Sequence, residues 1–182
     1  MKVEKIEEGM RIILEGLEVD INNQHLIDTP VRVAKAYYEM FEGLRTQPPK
    51  LKVFHEKGVD QMIVSDNIPF YSFCSHHFLP FRGNAKIGYI PQDGNILGLS
   101  KLARVLDYFS KRPSAQEIIT NKIADFLFND NDLHPIGVGV VLEASHDCEI
   151  LRGVKKEGSV MKTSALRGSF IEDKVREEFL KL

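Results

Sequence analysis

The sequence predicts an α+β fold with a largely antiparallel sheet. Three observations carry that expectation. Segments of helical periodicity and short β-prone runs follow one another in blocks, helices then strands, a helix pair, then strands, rather than alternating one for one. The run from Ile136 to Ala144 alternates glycine with valine, as a buried strand does. Between the first strand block and the helix pair, Pro91-Gln92-Asp93-Gly94-Asn95 is a turn signal.

Taken in order, Ile6, Met10, Ile13, Leu14 and Leu17 recur at helical spacing, and the polar segment Asp20-Ile21-Asn22-Asn23-Gln24 reads as a loop. Thr29 is placed as an N-cap with Pro30 at the first helical position, and Val31, Ala34, Tyr38 and Phe41 mark an amphipathic helix ending at Gly43. After Pro48-Pro49 the β-prone runs are Leu51 to Phe54, Gln61 to Ser65, Pro69 to Phe73 and Ala85 to Ile90. Ser100 is positioned to cap a helix with Leu102, Val105, Leu106 and Phe109 on one face, stopped by Arg112-Pro113. Ser114-Ala115-Gln116-Glu117 has the capping-box pattern and opens a second helix burying Ile119, Ile123, Phe126 and Leu127. Glu149 to Lys156 and Val160 to Leu166 read as strands beside Ile136 to Ala144, and a helix from Glu172 to Leu180 closes the chain. The expected organisation is a helical segment over residues 1–48 and a sheet-containing domain over 49–182, forming one structural unit.

With 24 Lys and Arg against 26 Asp and Glu, the net charge of −2 gives no global field for nucleic acid or an anionic membrane. A polyanionic ligand must meet a local cluster of cations. The first residues, Met1-Lys2-Val3-Glu4-Lys5-Ile6-Glu7-Glu8, lack the apolar run of a secretory signal, and no apolar segment reaches the ~18 residues of a membrane span. The expectation is cytoplasmic, where a disulfide between the two cysteines is disfavoured.

Those cysteines sit in suggestive company. Cys74 precedes His77 by three residues, a spacing that lets a turn present a thiolate and an imidazole to one tetrahedral ion. Cys148 would complete a Cys2His set, and three protein ligands leave a position for water, as in catalytic zinc sites. Two packed thiols and a core histidine would leave the same trace in the sequence. Two further histidines lie beside the set: His76 next to His77, and His146 two residues from Cys148, on the same face of an extended chain. Either can exchange a proton near neutral pH.

The motifs Thr29-Pro30-Val31-Arg32-Val33-Ala34-Lys35, Cys74-Ser75-His76-His77-Phe78, Gly88-Tyr89-Ile90-Pro91, Gly98-Leu99-Ser100-Lys101-Leu102-Ala103-Arg104, Arg112-Pro113-Ser114-Ala115-Gln116-Glu117, Glu143-Ala144-Ser145-His146-Asp147-Cys148 and Arg152-Gly153 together resemble GTP cyclohydrolase I. The resemblance runs from about Asp28 to the C-terminus. It implies the tunnelling fold, an antiparallel sheet backed by a helix pair and preceded by helices, assembled into a homo-oligomeric ring with active sites between subunits. It also implies hydrolytic opening of GTP at C8, loss of formate and rearrangement to 7,8-dihydroneopterin triphosphate.

On this resemblance Cys74, His77 and Cys148 match the ligands of one zinc per subunit, with zinc activating the water that attacks C8. His146 matches the histidine that protonates the imidazole ring nitrogen as it opens, and His76 a second acid/base group. Gln116 and Glu117 match the pair that recognises guanine. Lys35, Lys101, Arg104 and Arg152 match the cations around the triphosphate, with Ser100 near the ribose. Taken singly, Glu117 and Ser100 are also ordinary helix-start residues, and the cations ordinary surface charges. Two departures stand out: the family usually has Glu at the position of Ser75, and an acidic, arginine-containing segment where this chain has Asn22-Asn23-Gln24-His25. The competing reading is a catalytically silent GTP- or pterin-binding homologue acting through protein contacts.

Overall fold

A computed structural model describes residues 1–182, and the backbone separates into two units, Met1–Thr46 and Gln47–Leu182. In the first unit, α1 (Val3–Gly16) and α2 (Thr29–Met40) pack together, burying Leu14, Ala34 and Phe41. Pro30 occupies the first turn of α2, where its missing N–H costs nothing. The helix begins at Thr29 itself rather than after it, and Thr29 makes no capping bond.

The second unit holds a sheet of five strands: β2 (Ile63–Cys74), β3 (Pro80–Ile90), β5 (Pro113–Ser114), β6 (Gly137–His146) and β7 (Met161–Gly168). They lie in the order β5-β2-β3-β6-β7, and every pairing but the first is antiparallel. A separate ribbon pairs β1 (Val53–His55) with β4 (Asn95–Leu97), reached through the turn at Asp93 and Gly94, both in left-handed backbone. The runs expected as two strands between Gln61 and Phe73 are one, β2, with an irregularity between Ser65 and Ile68 at the left-handed Asn67.

The sheet is covered on both faces, and β6 shows how. Val138, Val140, Leu142 and Ala144 point to one side and join Leu106, Ile119, Ile123 and Leu127 in the main core. Those last four come from α3 (Ser100–Ser110) and α4 (Gln116–Phe128), the expected helix pair. On the opposite side Gly139 stands across from Gly88 of β3, and their bare backbones seat two rings, Phe170 and Phe179. Phe179 is carried by the C-terminal helix α6 (Asp173–Lys181), and the two rings meet edge to face with centroids 5.2 Å apart. The glycines of this strand therefore leave room for aromatic rings, in addition to marking a buried strand. A Cβ on Gly139 would stand 2.4 Å from Phe170, so Gly139→Val is expected to cost roughly 2–3 kcal/mol in denaturant unfolding.

Three local expectations are corrected. Glu149 to Lys156 is not a strand: residues Asp147–Ile150 form the short helix α5, followed by turns with Gly153 and Lys155 in left-handed backbone. β6 already has β3 on one edge and β7 on the other, so no edge remained for it. Ser100 is the first residue of α3 rather than its cap. Ser114 lies in β5, and Ala115 precedes α4 with no side-chain capping bond, so the capping box does not form. No helix is long and apolar enough to cross a membrane.

Candidate active site

Antiparallel pairing brings the C-terminal end of β2, the start of β3 and the C-terminal end of β6 to one end of the sheet. Cys74 is the last residue of β2, and the chain reverses immediately after it. The Phe78 N–H bonds to the Cys74 carbonyl at 2.8 Å, the Cys74 N–H to the Leu79 carbonyl at 2.8 Å, and Phe78 takes the left-handed conformation that closes the turn. His76 and His77 sit at its exposed tip. Cys148 enters from the first turn of α5, directly after β6.

The ligand atoms of Cys74, His77 and Cys148 all lie within 4.8 Å of one another. Around a tetrahedral ion with Zn–S near 2.3 Å and Zn–N near 2.0–2.1 Å, such atoms stand roughly 3.4–3.8 Å apart. A contraction of at most about 1.4 Å would close the set, so this donor group fits a thiophilic divalent cation. Burial pushes the Cys148 thiol above its usual range, and the adjacent Cys74 sulfur adds to the rise. A bound cation would offset that cost by favouring both thiolates.

Arg152, on the turn after α5, donates a hydrogen bond to His77 Nε2 at 2.6 Å. A neutral imidazole has a single ring lone pair, so Arg152 and a metal compete for it. A metal bound at either nitrogen of His77 would therefore release the Arg152 guanidinium. The His76 Nδ1 approaches Cys74 Sγ at 3.7 Å.

His146 ends β6 directly opposite Phe81, and the two rings stack with centroids 4.3 Å apart and planes 9° from parallel. Its Nε2 lies 2.8 Å from Gln116 Oε1. Burial pushes the imidazole below its ordinary value, and the acidic side chains of Glu149, Glu117 and Asp147 oppose that shift. Those same carboxylates supply negative charge near the site, although Ser75 brings none. Ser75 is exposed, and its N–H bonds to the Ser114 carbonyl at 3.2 Å.

The parallel pairing of β5 with the end of β2 matches Cys74 with Ser114, which delivers the start of α4 to the same end of the sheet. Buried Ser72 reinforces the join by donating to the Arg112 carbonyl at 2.9 Å. Glu117 emerges exposed on the first turn of α4, whereas Gln116 points inward and is 1% exposed.

Ser100 and Lys101 stand apart from this end of the sheet. Ser100 and Lys101 line a groove with Phe54, Ser65, Ile68 and Leu99. On β2, Ile68 and Ser65 precede Cys74 by six and nine positions, roughly 20–30 Å of strand. Within one chain these two residues are thus far from the Cys2His set. Lys101 donates to the Lys50 carbonyl at 2.9 Å, and Arg104 is exposed one turn further along α3. Lys35 is exposed on α2 of the first unit. Sequence patterns did not signal the Phe81 stack or the inward turn of Gln116, because both depend on the register of β3, β6 and α4.

The fold and site define a mixed α+β protein with a Cys2His group able to hold a metal ion beside a partly buried histidine. The chain belongs to the GTP cyclohydrolase I family, which it matches over residues 6–182. It is 48% identical over 181 residues to GTP cyclohydrolase 1 of Caldanaerobacter subterraneus subsp. tengcongensis, covering 98% of this chain and 95% of that one. The corresponding protein of Lysinibacillus sphaericus is 48% identical over 174 residues, 94% and 90% of the two chains. That of Clostridioides difficile is also 48% identical, over 172 residues and 93% and 90%.

Proposed function

We propose that this protein is a zinc-dependent GTP cyclohydrolase I, which opens GTP hydrolytically at C8, releases formate and yields 7,8-dihydroneopterin triphosphate. The observation that carries the reading is the convergence of Cys74, His77 and Cys148 with His146 at one end of the sheet, in a chain of this family. Zinc held by the three residues would lower the pKa of a coordinated water toward neutrality and so supply a nucleophile.

The protein's own groups divide the remaining work. His146 exchanges its proton at Nδ1, since Nε2 is committed to Gln116, and serves the purine nitrogen released as the five-membered ring opens. His76, exposed beside the thiolates, is the second acid/base group for ring opening and the later ribose steps. The Glu117 carboxylate accepts hydrogen bonds from the guanine ring N–H and exocyclic amine. Adenine offers neither donor in that arrangement, so ATP is expected to be rejected. Arg152, released from His77 when metal binds, joins Lys35, Lys101 and Arg104 as cations for the triphosphate, and Ser100 stands near the ribose.

A homo-oligomeric ring with active sites between subunits accounts for the separation within one chain. The roughly 20–30 Å between the groove of Ser100 and Lys101 and the Cys2His set is too long for one nucleotide to engage both comfortably. A second copy supplying those residues removes the difficulty. β7 forms one border of the sheet, and β5 pairs only with Phe73 and Cys74 of β2, so strand edges remain for pairing with neighbouring copies. The silent-binder reading is not favoured, because every residue matched to the chemistry is present and only Ser75 departs near the metal group.

Incubating zinc-loaded protein with GTP, and following formate together with the fluorescent pterin formed on oxidation, tests the proposal. Both products are expected with GTP and neither with ATP; absence of both with GTP overturns it.

A further inference from the structure

We propose that Gln116 is a positioning residue: its side-chain carbonyl fixes the ring orientation of His146 and the Nε2–H tautomer, leaving Nδ1 as the atom that exchanges protons. The inference rests on the acid/base role proposed for His146, and it replaces a guanine contact for Gln116 with a role from behind the histidine.

The hydrogen-bond directions follow from the partners alone. The Gln116 amide nitrogen lies 3.0 Å from the Leu142 carbonyl, 3.1 Å from the Met161 carbonyl and 3.1 Å from Thr163 Oγ1. Carbonyl oxygens only accept, so the group facing them is the NH2, and an inverted amide would set oxygen against oxygen in a buried place. Oε1 is then the atom 2.8 Å from His146 Nε2, and as a carbonyl it requires a hydrogen on that nitrogen.

Behind the amide, the Thr120 hydroxyl donates its single hydrogen to the Gln116 main-chain carbonyl at 2.7 Å. Thr163 Oγ1, 2.6 Å from Thr120 Oγ1, must therefore donate to Thr120 and present a lone pair to the Gln116 amide. The donor and acceptor ends of the chain are thus set, with the two amide hydrogens of Gln116 shared among three acceptors. Phe81, stacked flat on the imidazole, resists rotation of the ring out of this alignment. Gln116 Oε1 and Phe81 together hold the ring as a histidine is held by a carbonyl or carboxylate on its far nitrogen.

The arrangement joins α4, β6 and β7, so loss of stability alone would not distinguish positioning from packing. Nitrogen-15 spectra of zinc-loaded protein labelled at histidine read the tautomer directly, with His146→Asn assigning the signal. The wild type is expected to show His146 protonated at Nε2 and unprotonated at Nδ1. Gln116→Met, which keeps the bulk and removes the acceptor, is expected to give a mixture of tautomers. It should lower kcat by ~10–100-fold while KM for GTP stays within roughly threefold. An Nδ1–H tautomer in the wild type overturns the proposal without any variant. So does an unchanged His146 signal in Gln116→Met, or a raised KM with kcat intact, which would return Gln116 to the guanine pocket. Because the tautomer is read without turnover, an inactive wild type would refute the cyclohydrolase reading and leave this one standing or falling on its spectrum.

Discussion

Replacing Cys148 by alanine is expected to abolish metal binding and turnover together. Cys148 is one of only three residues in the ligand group, and the two that would remain, Cys74 and His77, come from a single turn. Two donors on one short segment form a weak chelate, whereas the third, brought from the end of β6, closes the set across the sheet. The fold should survive, because Cys148 is only partly buried and lies in a four-residue helix at the margin of the core. A stability loss of about 1 kcal/mol is expected. Metal analysis and the GTP assay on the same sample check the result. A variant retaining one zinc per chain would remove Cys148 from the ligand set.

His146→Ala is expected to separate the two properties: zinc stays at the wild-type level and kcat falls by ~10²–10⁴-fold, the range for a lost acid/base group. His146 is not in the ligand group, and its Nε2 is spent on Gln116. The substitution also leaves Gln116 Oε1 without its donor and uncovers the face of Phe81, for roughly 1–2 kcal/mol of stability. That loss is too small to unfold an ordinary domain, so an inactive protein with full metal content is the expected state. Equal loss of zinc in His146→Ala and Cys148→Ala would show that ligand and proton roles had been divided wrongly.

Much of the architecture was legible because it depends on short-range pattern. Helical spacing in α1, α3 and α4, the turn at Asp93 and Gly94, and the glycine and valine run of β6 each depend on neighbours a few residues apart. The errors fall where a local preference met a tertiary competitor. Glu149 to Lys156 had strand-like composition, but both edges of β6 were already taken. Ser114 had the right spacing to cap α4, but the parallel pairing with β2 drew it into a strand. The irregularity at Asn67 joins two runs that, read one after the other, look like separate strands.

The site divides along the same line. The residue types and spacing of Cys74, His76, His77, His146 and Cys148 were enough to propose a metal site with acid/base partners, because a ligand's chemistry belongs to the side chain itself. Whether they meet was decided by strand direction: antiparallel β2, β3 and β6 put residues over 70 positions apart within 4.8 Å. The glycines of β6 announced a buried strand, but their use as seats for Phe170 and Phe179 depended on where the C-terminal segment folded back. Gln116 and Glu117 are neighbours in the chain and both matched guanine recognition. A helix turns about 100° per residue, so the packing of α4 on β6 and β7 sends one side chain to solvent and the other beneath His146. The sequence by itself determined the fold class and the chemical inventory of the site. Only the tertiary structure decided which atoms meet, His146 Nε2 and Gln116 Oε1 among them, since that depends on groups brought together from distant parts of the chain.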